Sequence, residues 1–201
     1  MLSFTGRGLF PPVVKNLLII NGLFFLAQLS FPIITKFLQL YPFQSDNFAP
    51  HQLVTYGFVH ATHYSNGAIY YGHILMNMFG LWMFGKDIEH LIGPKRFLIL
   101  YMIGIIVGGV LSELIHPSGL VGASAGVFAV TTAFAMMFPN AKILVYFVLP
   151  VKAKYLAILY IGYELFAGFS SMGDGISHFG HIGGVIAAFA LIKYWKIPKF
   201  Y

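Results

Sequence analysis

The chain has 201 residues, of which 58% are apolar and only 9% are Asp, Glu, Lys or Arg. An ordinary soluble domain is about one-quarter charged, so a soluble enzyme, a disordered chain and a coiled coil are poor readings and a polytopic membrane protein is expected. Twelve Lys and Arg stand against six Asp and Glu; in a soluble protein that balance would suggest nucleic acid, but here the cations read as topology markers and no nucleic-acid partner is expected. Cysteine is absent, which removes disulfides, thiolate catalysis and Cys-based zinc sites.

Six stretches meet the roughly 20-residue apolar length of a membrane span. They cover approximately 13–35, 69–88, 95–115, 122–139, 153–170 and 177–195. The first has no convincing small-residue cleavage site and reads as a retained span; Pro32 bends or ends it. The connection 36–68 is rich in Phe, Tyr, His, Pro and Asn. A loop of that length is uncommon unless functional, and its apolar content places it partly in the membrane interface. Pro139-Asn140 stops the fourth stretch. The run 143–151 is too short to cross and contains Pro150, so an interfacial segment or a lead-in to the fifth span is expected. Asp174, between Gly173 and Gly175, reads as a turn residue. No repeat or linker interrupts the chain, which reads as one domain over 1–201.

Six spans sort the cations. Arg7 and Lys15 precede the first. Lys86, Lys95 and Arg96 lie between the second and third. Lys142, Lys152 and Lys154 lie between the fourth and fifth, and Lys193, Lys196 and Lys199 follow the sixth. An even number of crossings separates these groups, so eleven of twelve cations share one side and only Lys36 falls on the other. The positive-inside rule then makes both termini cytoplasmic.

Polar side chains within a span are costly and therefore functional candidates. Here they are His73 and Asn77 in the second span, Ser124 opening the fourth, Glu164 in the fifth, and His178 and His181 in the sixth; Glu113 lies near the external end of the third. Ser124 sits in Gly122-Ala123-Ser124-Ala125-Gly126. A helix start offers unpaired N–H groups and a positive dipole end, which would stabilise an oxyanion formed by attack of that Ser on a carbonyl. Taken alone, Ser124 is better explained as an N-cap in a small-residue packing motif. The pentapeptide also fits G-x-S-x-G, but that elbow needs a preceding strand in an α/β sheet. In the sixth span, Gly180, Gly183, Gly184 and Ala188 clear one face for close approach to the start of the fourth, and a His there can take a serine proton. His73 and Asn77, at i and i+4, share a face and can both donate to an oxyanion or act as interhelical polar glue. Glu89 reads as a structural group tying down the loop to the third span. Glu164 could orient a His as a third triad member, or be protonated or bonded to polar groups near the external end of its helix.

These residues, in this order on spans two, four and six, resemble the rhomboid family of intramembrane serine proteases. The resemblance covers roughly 48–190. It rests on His73-x-x-x-Asn77, Gly122-Ala123-Ser124, His181-x-x-Gly184 and Glu89-x-x-x-Gly93. It implies an all-α membrane bundle of six helices and a Ser124–His181 dyad without a third acid. His73, Asn77 and the Ser124 N–H would hold the oxyanion, and no metal or cofactor would take part. The substrate would be a transmembrane protein cut near its external membrane boundary. Four departures stand out. Ala125 follows Ser124 where Gly is frequent, and His51-Gln52 replace a Trp-Arg pair of the first external loop. Phe128 stands where a Tyr often stacks on the catalytic His, and Gly180 precedes His181 where Ala is usual. His178, one turn from His181, is the rival base; only His181 has Gly at +3.

Two other functions compete. A non-catalytic rhomboid-like protein binding membrane clients would usually lack the Ser or the His, and both are present. A transporter using the buried His and Glu residues would show paired half-helices or inverted repeats, and neither is visible. A compact core of six spans suggests a bacterial plasma membrane. Oligomeric state and physiological substrate are not encoded in any recognisable feature.

Overall fold

A computed structural model describes residues 8–145, 148–170 and 175–200; Arg7 and the turn expected at Asp174 lie outside the described residues. Seven helices are present among them: α1 (Pro12–Ser30), α2 (Ile33–Leu38), α3 (Gln52–Thr55), α4 (Gly72–Ile115), α5 (Ser124–Met137), α6 (Ala153–Ser170) and α7 (His178–Tyr194). Two short strands, β1 (Lys142–Val145) and β2 (Leu149–Lys152), complete the fold. Among the described residues α1 and α4 are long and apolar enough to cross a membrane, and α5 is a shorter apolar helix.

Helix α1 begins without any orphan donor. Pro11 and Pro12 have no N–H. Val13 and Val14 donate theirs to the two carboxylate oxygens of Glu89, at 2.9 and 2.8 Å, and Lys15 N closes the first turn on Pro11 O at 2.9 Å. Glu89 is buried, and its charge sits at the positive end of the α1 dipole. This corrects the sequence reading: Glu89 is structural, but it ties down the first helix, 75 residues away, rather than the following loop. Pro32 ends α1, because the residue before a proline is driven from the α region; Phe31 has φ −135° and ψ 84°.

The expected second and third spans are joined as the single α4, with a non-helical break at Gly93 (φ 81°, ψ 161°) followed by Pro94. A straight helix of 44 residues would be about 66 Å long. Instead the chain folds back: a Cβ on Gly85 would lie 3.1 Å from the Phe97 ring. The positive φ needs glycine at 93, and Pro94 is pre-set to restart a helix. The two limbs are 72–92 and 94–115. Residues 69–71 fall outside the helix, where Ile69 pairs with His63 in an isolated antiparallel bridge.

The second limb of α4, α5 and α7 meet through residues that lack side chains. A Cβ on Gly108 would lie 2.5 Å from Ala125 Cβ and 2.6 Å from Gly180 O. One on Gly183 would lie 2.6 Å from Gly108 Cα, and one on Gly184 would collide with Ala125 O. The small face expected on the sixth span therefore serves two neighbours: Gly184 faces α5, while Gly180 and Gly183 face α4. Around this centre the surface is apolar. Leu23 and Leu26 on α1, Ile158, Leu159 and Phe169 on α6, and Phe189 on α7 are all exposed. Such a surface suits lipid rather than water.

The apolar run before α6 is paired: β1 and β2 are antiparallel, with Lys142 opposite Lys152 and Val145 opposite Leu149, and β2 leads directly into α6 as the expected lead-in. Pairing satisfies backbone groups that an isolated interfacial stretch would leave open. The long connection 36–68 is ordered by its own polar side chains. Gln52 Oε1 accepts from Tyr41 N and Ala49 N, and Nε2 donates to Asn47 O at 2.9 Å. His51 stacks on Phe37 with centroids 4.9 Å apart. Gln28 on α1 pins the end of this connection by bonding both the N–H and the C=O of His60, each at 2.9 Å. Leu40 and Leu120 form a bridge to the segment before α5.

Several contacts join the elements that carry the basic groups. Arg96 lies over the Trp195 ring at 5.7 Å. Phe200 N donates to Met137 O at 2.6 Å, and Lys154 N to Pro139 O at 3.1 Å.

Replacing Glu89 by Ala strands one buried and one half-buried N–H group, and a buried one left unpaired costs about 1–3 kcal/mol. The expected result is a clear fall in the thermal unfolding midpoint in detergent, with Glu89→Gln intermediate; equal midpoints would refute the cap. Gly184→Val forces α7 from α5, and overpacking of this kind costs about 1–3 kcal/mol or more. The same melting measurement checks it.

Candidate active site

The site is built where α5 starts. Gly122 has φ +124° and donates its N–H to Tyr56 O at 2.9 Å, turning the chain into the helix. Ala123 is the N-cap and makes no side-chain cap bond, so Ser124 is the first helical residue and not the N-cap that its position alone suggested. The helical ladder begins with Val127 N to Ala123 O at 3.0 Å. The N–H groups of Ser124, Ala125 and Gly126 are therefore directed out of the helix start. A surface depression here is lined by Tyr56, Gly122, Ser124, Ala125, Ser177 and Gly180, among others.

His73, near the start of α4, lies against this turn. Its Nδ1 accepts from Ala61 N at 3.1 Å. An imidazole nitrogen that accepts carries no proton, so the proton of neutral His73 is on Nε2. A Cβ on Gly122 would be 2.7 Å from that Nε2. Glycine is thus required at 122 for its φ and for space, and the His73 donor sits beside the residues that lead into Ser124. Asn77, one turn on, is buried and donates Nδ2 to His73 O at 2.9 Å; its amide carries a second N–H. His60 packs edge-on to His73 with centroids 5.1 Å apart. Burial, reinforced by His73, lowers the His60 pKa to about 3, so His60 is a neutral wall.

His181 enters from α7. Its ring stacks on Phe128, with centroids 4.2 Å apart and planes 9° apart. Phe128 and Ser124 are i+4 and i on α5 and share a face. Gly184, one turn beyond His181, meets Ala125 O. These contacts set His181 against the face of α5 that begins with Ser124. Phe128 fills the stacking position expected of it, with a ring and no hydroxyl.

His178, one turn before His181, shares a partner with it. Its Nδ1 bonds Glu164 Oε2 at 2.7 Å, and the same oxygen is 3.0 Å from His181 Nδ1. The sequence reading allowed Glu164 to orient a His without saying which, because the rotation of α6 cannot be read from its composition; the structure brings it to both. By ligand type they could hold a cation. However, donors on a tetrahedral zinc with bonds near 2.0–2.1 Å are about 3.3 Å apart, and 2.7 Å is a hydrogen-bond length. Two further residues were missed. Ser112 on α4 and Ser177 at the N-cap of α7 share a hydrogen bond of 2.7 Å, and Ser177 Oγ accepts from Gly180 N at 3.2 Å. Serine three residues before Gly180, at the start of an apolar run, is a readable cap signal.

Comparison with known proteins agrees with this architecture. The rhomboid domain family matches residues 47–196. RHOMBOID-like protein 12, mitochondrial, of Arabidopsis thaliana is 33% identical over 77% of this chain and 49% of its own length. Rhomboid protein 1, mitochondrial, of Saccharomyces cerevisiae is 32% identical over 63% of this chain and 38% of its own length. Rhomboid protease GluP of Bacillus subtilis is 29% identical over 63% of this chain and 24% of its own length. The chain thus spans about half or less of the length of these relatives. With a match covering most of its residues, the chain is a membrane protein that belongs to the rhomboid family.

Proposed function

We propose that the protein is an intramembrane serine endopeptidase whose substrates are transmembrane proteins cut near the external boundary of the membrane. The observation that carries this reading is the stack of His181 on Phe128, one turn along α5 from Ser124. Membership of a family that includes a named protease supports it. In this reading one domain of six spans holds both termini in the cytoplasm, with the two limbs of α4 counted as separate spans. The relatives include proteins named mitochondrial as well as a bacterial one, so they support membrane insertion, and a bacterial plasma membrane is not part of the proposal.

Ser124 Oγ attacks the scissile carbonyl while His181 Nε2 takes its proton; His181 then returns the proton to the leaving amine. Water enters from the depression beside Ser124, and the same base activates it to release the acyl group. General base catalysis of this kind contributes about 10²–10⁴-fold. The oxyanion is met by the Ser124 N–H at the helix start, by Nε2–H of His73 and by Asn77. A preorganised donor in a dry site is worth about 10²–10³-fold in kcat. The dyad needs no cofactor or metal. Both the Ser and the His are present, which disfavours a non-catalytic client-binding protein, and no feature of the site favours a transporter.

The test is cleavage of a model transmembrane substrate by purified protein in lipid vesicles. Ser124→Ala and His181→Ala abolish cleavage while the unfolding midpoint persists, and His178→Ala costs much less. His73→Ala lowers kcat by about 10²–10³-fold. Wild-type activity in Ser124→Ala contradicts the proposal; a dead His178 variant beside an active His181 variant reassigns the base.

A further inference from the structure

Glu164 is the one buried carboxyl of α6. That helix otherwise buries only Ala153 and Ala167 and presents apolar side chains outward. Taking a carboxylate out of water costs several kcal/mol unless donors compensate, so a carboxyl placed there needs a reason. Its Oε2 meets two imidazole nitrogens, Nδ1 of His178 at 2.7 Å and Nδ1 of His181 at 3.0 Å.

We propose that Glu164 is a positioning residue for the base, turning the two-residue scheme into a Ser124–His181–Glu164 triad; this rests on the protease reading above. An ionised carboxylate only accepts. A bare Nδ1 lone pair 3.0 Å from it would be repelled, so Nδ1 of His181 carries the proton. Nε2 is then left with the lone pair that Ser124 requires. The Phe128 stack fixes the plane of the imidazole, and Glu164 draws its Nδ1 edge to one side within that plane. His178, whose contact with Glu164 has full hydrogen-bond geometry, steadies the carboxylate from the next turn of α7.

The geometry also favours the transition state over the ground state. His181 Nδ1 is buried and, at 3.0 Å, is off the angle of a hydrogen bond to Glu164. As the Oγ–C bond forms, the Ser124 proton passes to Nε2 and the imidazole becomes a cation. Its attraction to Glu164 then rises, and a small in-plane turn completes a charge-assisted bond. The carboxylate keeps its charge and takes no proton in the step.

The experiment compares the full-length wild type, Glu164→Gln, Glu164→Asp, His178→Ala and Ser124→Ala in lipid vesicles. It records kcat and KM, and the tautomer of His181 by nitrogen-15 NMR of histidine-labelled protein. The amide of Glu164→Gln lacks the charge and can present its NH₂ to His181, favouring the wrong tautomer; the analogous change in a soluble triad costs about 10⁴-fold. Here a loss of about 10²–10⁴-fold in kcat is expected, with KM little changed. His181 is protonated on Nδ1 in the wild type and shifts toward Nε2 in Glu164→Gln. Glu164→Asp retains the wild-type tautomer and an intermediate kcat, and His178→Ala loses far less than Glu164→Gln. Wild-type kcat in Glu164→Gln overturns the proposal. So does a loss shared equally by Glu164→Gln, Glu164→Asp and His178→Ala with the His181 tautomer unmoved, which would mean that Glu164 only anchors α6. An active Ser124→Ala overturns the protease reading itself, whereas an inactive Ser124→Ala beside a fully active Glu164→Gln removes only the positioning role.

Discussion

Close approach of Gly108 to Ala125 and Gly180, and of Gly184 to Ala125, positions the three helices that carry the site. Three helices approach so closely there that a single methyl group on Gly108 or Gly184 would overlap its neighbour. In lipid no hydrophobic force pulls helices together, so association relies on close van der Waals packing and on polar contacts between helices. Glycine supplies the first by removing side chains. Its consequence is positional: with α7 lying on α5, the ring of His181 reaches Phe128, one turn along α5 from Ser124. A bulkier residue at 184 would move the imidazole before it changed any chemical group.

The polar contacts hold the same arrangement from outside. Glu89 closes the N-terminus of α1, Gln28 fixes the backbone at His60, and Ser112 joins Ser177 across α4 and α7. Each pairs groups that would be costly to leave open in an apolar medium. The chain of supports reaches the site through His60, which packs on His73, and through Ala61 N, which selects the His73 tautomer. The donor beside Gly122 is thus specified by a loop lying about 12 residues before it in sequence. α6 differs from the other helices, because its buried contacts with the bundle include one carboxyl between two imidazoles.

Much of this was legible in the sequence because lipid makes polar residues conspicuous. Few hydrophilic side chains fall within the apolar stretches, and the helices that carry His73, Asn77, Ser124 and His181, α4, α5 and α7, pack on one another. Element ends at Pro32 and Pro139 were also readable from backbone chemistry. The missed features depend on partners distant in sequence. Glu89 bonds residues 75 and 76 positions away, and spacing carries no sign of that. The pairing of 142–145 with 149–152 was hidden by Pro150 and by an apolar run that lacks strict alternation. Glu164 was noticed as an oddity, but only the rotation of α6 brings its carboxylate to His181.

The central claim is that Ser124 is an activated nucleophile in a membrane-embedded site. Labelling of the purified protein in lipid vesicles with a fluorophosphonate probe, followed by peptide mass spectrometry, tests it most directly. The account expects one adduct on Ser124, formed in the wild type and lost in His181→Ala. No adduct on Ser124 in an intact wild-type protein, or labelling that persists at the same rate without His181, would contradict it.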